Sequence, residues 1–355
     1  MVVIATECLT RFIVQILESS GTDADIAECV ADSVVGADLA GHPSHGVMKV
    51  PSYIRDIEHG KLTPRARPEI VSESPTTAVV DGHTSFGHLT ARFTVDLAVE
   101  KARASGLAAV SASHTHHTGR LGGWSERIAS AGMIGMLMGG EAQPPYKVVP
   151  HGGRTGALAT NPVTWAVPRD DAPPVLLDYA TSVVSIGKIQ AAKARGEQVP
   201  ADRIIDAEGV PTTDPDAFLG GGCLLPFGGY KGYALAVVAE LLAIGLSGGD
   251  AFAGKERSSC LFVLAIDPGC FRRSDGLSGF VDATVARLKA ARPADGEQIL
   301  IPGEPEELAR TSASRGVRLP PAVWHALCRT ASDLDVPPPT PGEIEAESPA
   351  TGNGR

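Results

Sequence analysis

The stretch that decides the fold runs from Ala78 to Met138: AVVDGHTSFGHLTARFTVDLAVEKARASGLAAVSASHTHHTGRLGGWSERIASAGMIGMLM. Ala78–Asp81, Ala108–Ser113 and Met133–Met138 are short apolar runs of strand type. The segments between them, around Leu89–Ala104 and Leu121–Ala131, repeat apolar residues at helical spacing. Strands alternating with helices predict an α/β fold, a sheet with flanking helices. Gly119, Gly122, Gly123, Gly132 and Gly135 punctuate the pattern where the chain must turn.

Toward the N-terminus, Leu9, Phe12, Ile13, Ile16 and Leu17 mark one amphipathic helix stopped by Gly21, and Ile26, Val30, Val34 and Ala37 a second that ends by Gly41. A third helical segment, Ser44 to Gly60, carries Val47, Val50, Ile54 and Ile57 on one side, with Pro51 as a kink or a late start. The loop before it presents Ser44 and His45 at a helix N-terminus. Toward the C-terminus the pattern predicts strands at Ala157–Thr160, Thr164–Val167 and Val175–Asp178 and a helix over Ser182–Arg195. A turn-rich stretch follows from Pro200 to Gly222, then a long apolar helix, Tyr230–Leu246. Strands at Leu261–Ile266 and Gln298–Ile301 and helices near Gly276–Arg292, after Gly303 and after Pro320 complete the reading. Residues 1–70 are expected to form a helical segment carrying a catalytic loop and packing with 303–335. Residues 71–302 form the α/β region, and the proline-rich tail 336–355 is read as disordered.

The 355 residues are 43% hydrophobic and 20% charged, enough to build a core without disulfides or metal. Thirty-one Lys and Arg against 41 Asp and Glu give a net charge of −10, which argues against nucleic acid and anionic membranes as partners. Six cysteines without a C-x-x-C pair imply a reducing cytoplasm, and the N-terminus reads as no signal peptide. The longest apolar run, Ala234 to Leu246, is broken by Glu240 and too short to span a bilayer.

No G-x-G-x-x-G follows a strand and no phosphate-binding P-loop is present, so a Rossmann reading fails. Gly228-Gly229-Tyr230-Lys231-Gly232 opens the longest apolar helix; it either holds a phosphate or ribose or simply supplies a flexible helix entry. Two histidine sets stand out: His42 and His45, and His114, His116 and His117 before Gly119. Histidines aimed from loops suit proton transfer near neutral pH. A metal site on the second set is the rival reading, but adjacent His116 and His117 diverge on an extended chain, so no metal is assigned. Asp178, at the carboxyl end of a strand, is placed to orient a histidine, touch a cofactor or cap the next helix.

Taken in order, Asp38-Leu39-Ala40-Gly41, Ser44-His45-Gly46-Val47, His117-Thr118-Gly119, Gly152-Gly153, Thr160-Asn161-Pro162, Asp178-Tyr179-Ala180-Thr181-Ser182, Gly187-Lys188, Pro226 to Tyr233 and Pro302-Gly303-Glu304-Pro305 resemble the type 2 malate/L-lactate dehydrogenase family over nearly the whole chain. That family includes ureidoglycolate and sulfolactate dehydrogenases, diketogulonate reductase and piperideine-2-carboxylate reductase. The resemblance implies a non-Rossmann α/β fold with a mixed sheet, a cytoplasmic homodimer, NAD or NADP as cofactor and a small 2-keto or 2-hydroxy acid as substrate. Reduction of a cyclic 2-imino acid is the alternative.

By position, the resemblance implies that His45 exchanges the proton, supported by Ser44 and Asp178, and that His117 lies by nicotinamide and substrate. Thr160 and Lys49 would meet the substrate carboxylate. Asp178, Tyr179, Ala180, Thr181, Ser182, Lys231, Gly232, Pro302, Gly303 and Glu304 would contact the cofactor. Five positions depart from the pattern: Lys49 for an arginine, His88 for a glutamine, Gly140-Glu141 for Asn-Ser and Ala159 for a glycine. Lys49 replaces a bidentate fork with a point charge, and Glu141 brings a carboxylate toward the pocket, so the expected substrate is a 2-keto or 2-imino acid other than malate.

Overall fold

A computed structural model of the chain describes residues 1–142, 145–248, 258–271, 275–339 and 344–346. Seven strands form one mixed sheet in the order Glu69–Glu73, Thr77–Asp81, Leu107–Thr115, Ser259–Ile266, Ile134–Glu141, Val163–Val167 and Val175–Tyr179. Only Thr77–Asp81 and Leu107–Thr115 run parallel, and these are the two joined through the helix Gly87–Ser105, as a parallel crossover requires. The alternation at Ala78–Met138 therefore folds as expected. Ile134–Glu141 does not lie beside Leu107–Thr115, because Ser259–Ile266 inserts between them, antiparallel to both.

Strand alternation gives the sheet two apolar faces. Val80, Val110, Ala112, Leu137, Leu261 and Val263 meet Ala91, Val95 and Ala98 of Gly87–Ser105 and Trp124 and Ile128 of Leu121–Ser130. A methyl at Gly135 would sit 2.8 Å from Ile128 Cβ, so only glycine lets that helix come down onto the strand. On the opposite face Met136, Met138, Val163 and Phe262 meet Ala239, Ala243 and Ile244, from and just after the helix Tyr230–Ala243.

A second core joins the two ends of the described chain. Leu9, Phe12, Ile16, Val30, Val34, Val47, Tyr53 and Ile54 pack with Trp324 and Leu327 of the helix Pro321–Asp333. Val2–Ile4 pairs antiparallel with Val317–Leu319 on one side and with Ile344–Ala346 on the other. The expectation of a disordered tail is thus corrected in part: Val336 is buried and Ile344–Ala346 is held by strand pairing, while 340–343 and 347–355 lie outside the described residues. Among the described residues no helix is long and apolar enough to cross a membrane.

Local differences have local causes. The third helical segment starts as 3-10 turns, Pro43–His45 and Val47–Lys49, and becomes α-helical at Val50–Glu58, with Pro51 in the first turn where a missing N–H costs little. The helix expected from Ser182 begins at Ile186, because the Ser185 hydroxyl accepts from Lys188 N–H. Gln298–Ile301 and Ala157–Thr160 form no strand; Leu158 makes an isolated bridge to Val148.

Candidate active site

The loop carrying His45 is fixed from below by Asp38, near the end of the helix Ala24–Leu39. Its Oδ2 accepts from Val47 N–H at 2.8 Å, and a methyl at Gly46 would lie 2.2 Å from the same carboxylate. His45 N–H donates to His42 O at 3.0 Å, closing the 3-10 turn. His117 arrives from the other side. The chain leaves the strand Leu107–Thr115 and crosses the start of the helix Gly87–Ser105, where a methyl at Gly87 would meet His116 O at 2.2 Å.

The two rings meet with His45 Nδ1 3.1 Å from His117 Nε2 and their planes parallel within 2°. His117 Nδ1 lies 2.7 Å from the hydroxyl of Tyr53, a fully buried side chain on the helix Val50–Glu58. His88 stands edge-on to both Tyr53 and His117, 0% exposed and with neither ring nitrogen hydrogen-bonded. Burial lowers the His45 pKa to about 4, assisted by the neighbouring charge of Lys49 and by His42 and Arg120. The same cause lowers His88 to about 3 and holds His117 well below the usual histidine range. At neutral pH the cluster is uncharged. The expected carboxylate favouring imidazolium at His45 is not what surrounds it.

Asp178 belongs to a different set of contacts. It accepts from Gly122 N–H at 3.0 Å and faces Arg120 Nε at 3.4 Å; no contact of its carboxylate with the His45 ring is formed. Burial raises its pKa against the opposing pull of Arg120. Arg120 in turn binds Glu126, which also takes Arg310, so the charges join the α/β layer to the C-terminal helix Glu304–Ser312. His42 binds Glu306 of that helix at 3.1 Å. Ser44 packs where a methyl at Gly187 would lie 3.1 Å from its Cβ, beside the first turn of Ile186–Arg195.

The remaining expected residues form a connected wall. Thr160 O accepts from both the N–H and the hydroxyl of Thr181, each at 3.0 Å, and Thr181 O accepts from Phe227 N–H at 3.0 Å. Ser182 bridges to Pro226, and the Tyr179 ring stands edge-on to Phe227 at 5.3 Å. Tyr179, Thr181 and Ser182 therefore lie against the turn that leads to Lys231 and Gly232, while Asp178 faces Arg120 and Gly122. Pro302 O accepts from Leu176 N–H at 3.0 Å, two residues before Asp178, and Gly303 turns the chain there with φ 99°. Glu304 caps Ile301 N–H and pairs with Lys289.

His114, His116 and His117 take three different partners: Asp81, Asp56, and the His45–Tyr53 pair. Among the described residues no three His, Cys, Asp or Glu side chains converge as a metal site. Tyr53 and Arg120 are contacts of the candidate residues that sequence reasoning missed, and Asp38 was marked by a motif but given no role. Tyr53 reads as one more aromatic on an amphipathic helix, and no sequence spacing pairs it with His117.

A nicotinamide dinucleotide needs backbone donors and a cation for its phosphates. Gly228 and Gly229, with φ 56° and 63°, open the helix Tyr230–Ala243 without a side-chain cap, and Lys231 is exposed in its first turn. A methyl at Gly228 would meet nothing nearer than Lys231 Cβ at 3.8 Å. A cavity of about 520 Å³ opens between this turn and Pro150–Gly153. The residues fit such a group.

The geometry is a non-Rossmann mixed sheet with two paired imidazoles under the charge of Lys49, and comparison with known proteins places it among the dehydrogenases. Residues 4–328 match the model of the malate/L-lactate dehydrogenase family. The L-lactate dehydrogenase of Cupriavidus necator is 37% identical over 334 residues, 92% of this chain and 96% of that protein. Hydroxycarboxylate dehydrogenase B of Escherichia coli K12 is 35% identical over 344 residues, 94% and 95% of the two chains. The crystal structure of malate dehydrogenase from Entamoeba histolytica superposes with a TM-score of 0.90 at 27% identity, covering 95% of this chain and 99% of that one. The chain belongs to the malate/L-lactate dehydrogenase family.

Proposed function

We propose that the protein interconverts a 2-keto acid and its 2-hydroxy acid with NAD or NADP, and that His45 exchanges the proton at the oxygen on carbon 2. The hydrogen-bonded pair of His45 and His117, with the charge of Lys49 acting on both rings, carries the reading. The bound nicotinamide supplies or takes the hydride. Lys49 offers one positive charge for the substrate carboxylate, and Thr160 stands on the wall that meets it. His45 holds the proton that the oxygen gains on reduction and accepts it on oxidation, with Ser44 packed beside it and Asp178 holding the entry of the helix Leu121–Ser130. Asp178–Ser182, Lys231, Gly232 and Pro302–Glu304 are the residues assigned to the dinucleotide, and His117 would lie by the nicotinamide and substrate.

One lysine, rather than a forked arginine, favours a monocarboxylate. Purified protein given NADH or NADPH with pyruvate, oxaloacetate and a cyclic imino acid should oxidise the cofactor fastest with the 2-keto monocarboxylate. No oxidation with any 2-keto acid refutes the reading, and turnover with the cyclic imino acid alone moves the reaction to C=N.

The assembly in this reading is a cytoplasmic homodimer. Tyr230, Val238, Leu241 and Leu246, on and just beyond the helix Tyr230–Ala243, are 62%, 45%, 64% and 52% exposed, an apolar face that a second copy of the chain would cover. All six cysteines are free thiols, in keeping with a reducing compartment.

A further inference from the structure

Tyr53 takes no part in the chemistry described so far, yet its hydroxyl sits at the end of a line of three hydrogen-bonded groups. Its side chain is 1% exposed, and among the described residues His117 Nδ1, at 2.7 Å, is the only hydrogen-bond partner of its oxygen. We propose that Tyr53 is a positioning residue for the proton transfer: by donating to His117 Nδ1 it makes His117 donate from Nε2 to His45 Nδ1, which leaves the proton of His45 on Nε2, away from His117. The inference deepens the function proposed above and rests on it.

The argument is a count of donors. A buried phenol O–H without an acceptor is costly, so the Tyr53 proton goes to His117 Nδ1. An uncharged His117 then carries its own proton on Nε2, and its partner 3.1 Å away, His45 Nδ1, must accept. The opposite array, with His45 Nδ1 donating and the Tyr53 proton turned away, has the same number of protons but leaves the phenol hydrogen without a partner. Burial of all three groups keeps them in their neutral forms, including Tyr53, whose pKa is raised.

The consequence falls on the substrate oxygen. An imidazole fixed with N–H on Nε2 is a hydrogen-bond donor for a keto oxygen without first becoming imidazolium. On reduction, hydride from the reduced nicotinamide adds to carbon 2 and the C=O π pair becomes the new O–H bond. The proton passes from His45 Nε2 to the oxygen as solvent delivers one to the same nitrogen, so the ring begins and ends neutral; on oxidation Nε2 gives its proton to solvent as it takes that of the hydroxyl. Tyr53 keeps its own proton throughout.

The charged and titratable groups that face this line are known. His88, from the helix Gly87–Ser105, and His116 stand edge-on to Tyr53, and Asp56 lies on the same helix as Tyr53. Lys49, His42 and Arg120 face His45.

Tyr53→Phe keeps the ring contacts with Phe86, His88 and His116 and deletes only the donor. With ring-¹⁵N histidine, the wild type should report His45 as the Nε2–H form and Tyr53→Phe a shift toward Nδ1–H. For a 2-keto acid kcat/KM should fall ~10-fold to ~100-fold, part of the ~10²–10⁴-fold a positioned general acid contributes. Cofactor affinity should stay within about twofold. The acidic limb of the pH profile should move up, because His117 Nε2 becomes free to accept from a protonated His45.

Replacing the five tyrosines with fluorotyrosine, a stronger donor of the same shape, should move that limb down, and this arm does not depend on Tyr53→Phe folding. An unchanged tautomer and pH profile in folded Tyr53→Phe, or fluorotyrosine shifting the limb in the same direction as Phe, overturns the inference. If the wild type itself fails to reduce any 2-keto acid, the proposed function falls, while the nitrogen spectra still decide what Tyr53 does to His45.

Discussion

At the scale of single residues, the site depends on uncharged imidazoles next to a fixed positive charge. Lys49 lowers the proton affinity of both His45 and His117, so it has two effects that a variant can separate. Lys49→Ala should raise KM for a 2-keto acid ~10-fold or more, as expected when a charged contact to a carboxylate is lost, and should shift the acidic limb of the pH profile upward. Steady-state kinetics between pH 5 and 8 check both; an unchanged KM removes Lys49 from the carboxylate. Ordered motifs singled out His45, His117 and Thr160, and Lys49 stood out as a departure from one of them; of these, the structure brings His45 and His117 into contact. The partner of His45 was not legible. Sequence order made Asp178 its natural carboxylate, whereas that strand end lies against Arg120 and Gly122 and the contact is made by a second histidine.

At the scale of elements, the loop carrying His45 is held by one close approach. With the carboxylate of Asp38 about 2.2 Å from any added methyl at Gly46, Gly46→Ala must push the His45 turn off its support. The expected outcome is loss of most activity and a lowered melting temperature, measured by NADH oxidation and thermal unfolding. Burial raises the Asp38 pKa to about 7 against its single bond from Val47. The folded state therefore holds that proton to higher pH than the unfolded chain, and Asp38 costs stability increasingly as pH rises from about 4 to 7. Asp38→Asn, which keeps an oxygen for Val47, should raise the melting temperature more at pH 8 than at pH 5, ~1–2 °C for each kcal/mol recovered. The helices and most strands were visible as periodicity. The place of Ser259–Ile266 between two earlier strands was not, because strand order depends on long-range pairing that no local pattern encodes.

At the scale of the whole molecule, the buried histidine cluster sets an acid limit. Unfolded histidines take up protons near pH 6.5, while folded His45 and His88 wait until about 4 and 3 and His117 lags as well. Stability is therefore lost as pH falls below about 6.5, by ~2 kcal/mol per such imidazole at pH 5. Melting temperatures should drop between pH 7 and pH 5, and His88→Gln should flatten that drop; an equally steep drop in the variant would clear His88 of any part in it. If Leu241 and Val238 lie in an interface between two copies, Leu241→Glu with Val238→Glu should halve the mass measured by light scattering. A wild type that already elutes as a monomer contradicts the homodimer. The N-terminal helices and the last helix share one core, and Val2–Ile4 pairs with Val317–Leu319; packing of 1–70 with 303–335 was an expectation of the sequence, this strand pairing was not.

The central claim, that the His45 ring delivers and removes the substrate proton, is tested most directly by His45→Asn in a stopped-flow assay of cofactor oxidation with saturating 2-keto acid. The account predicts cofactor binding within about threefold of wild type and a hydride-transfer rate lower by ~10²-fold or more. A variant that still transfers hydride at a rate near that of the wild type contradicts it.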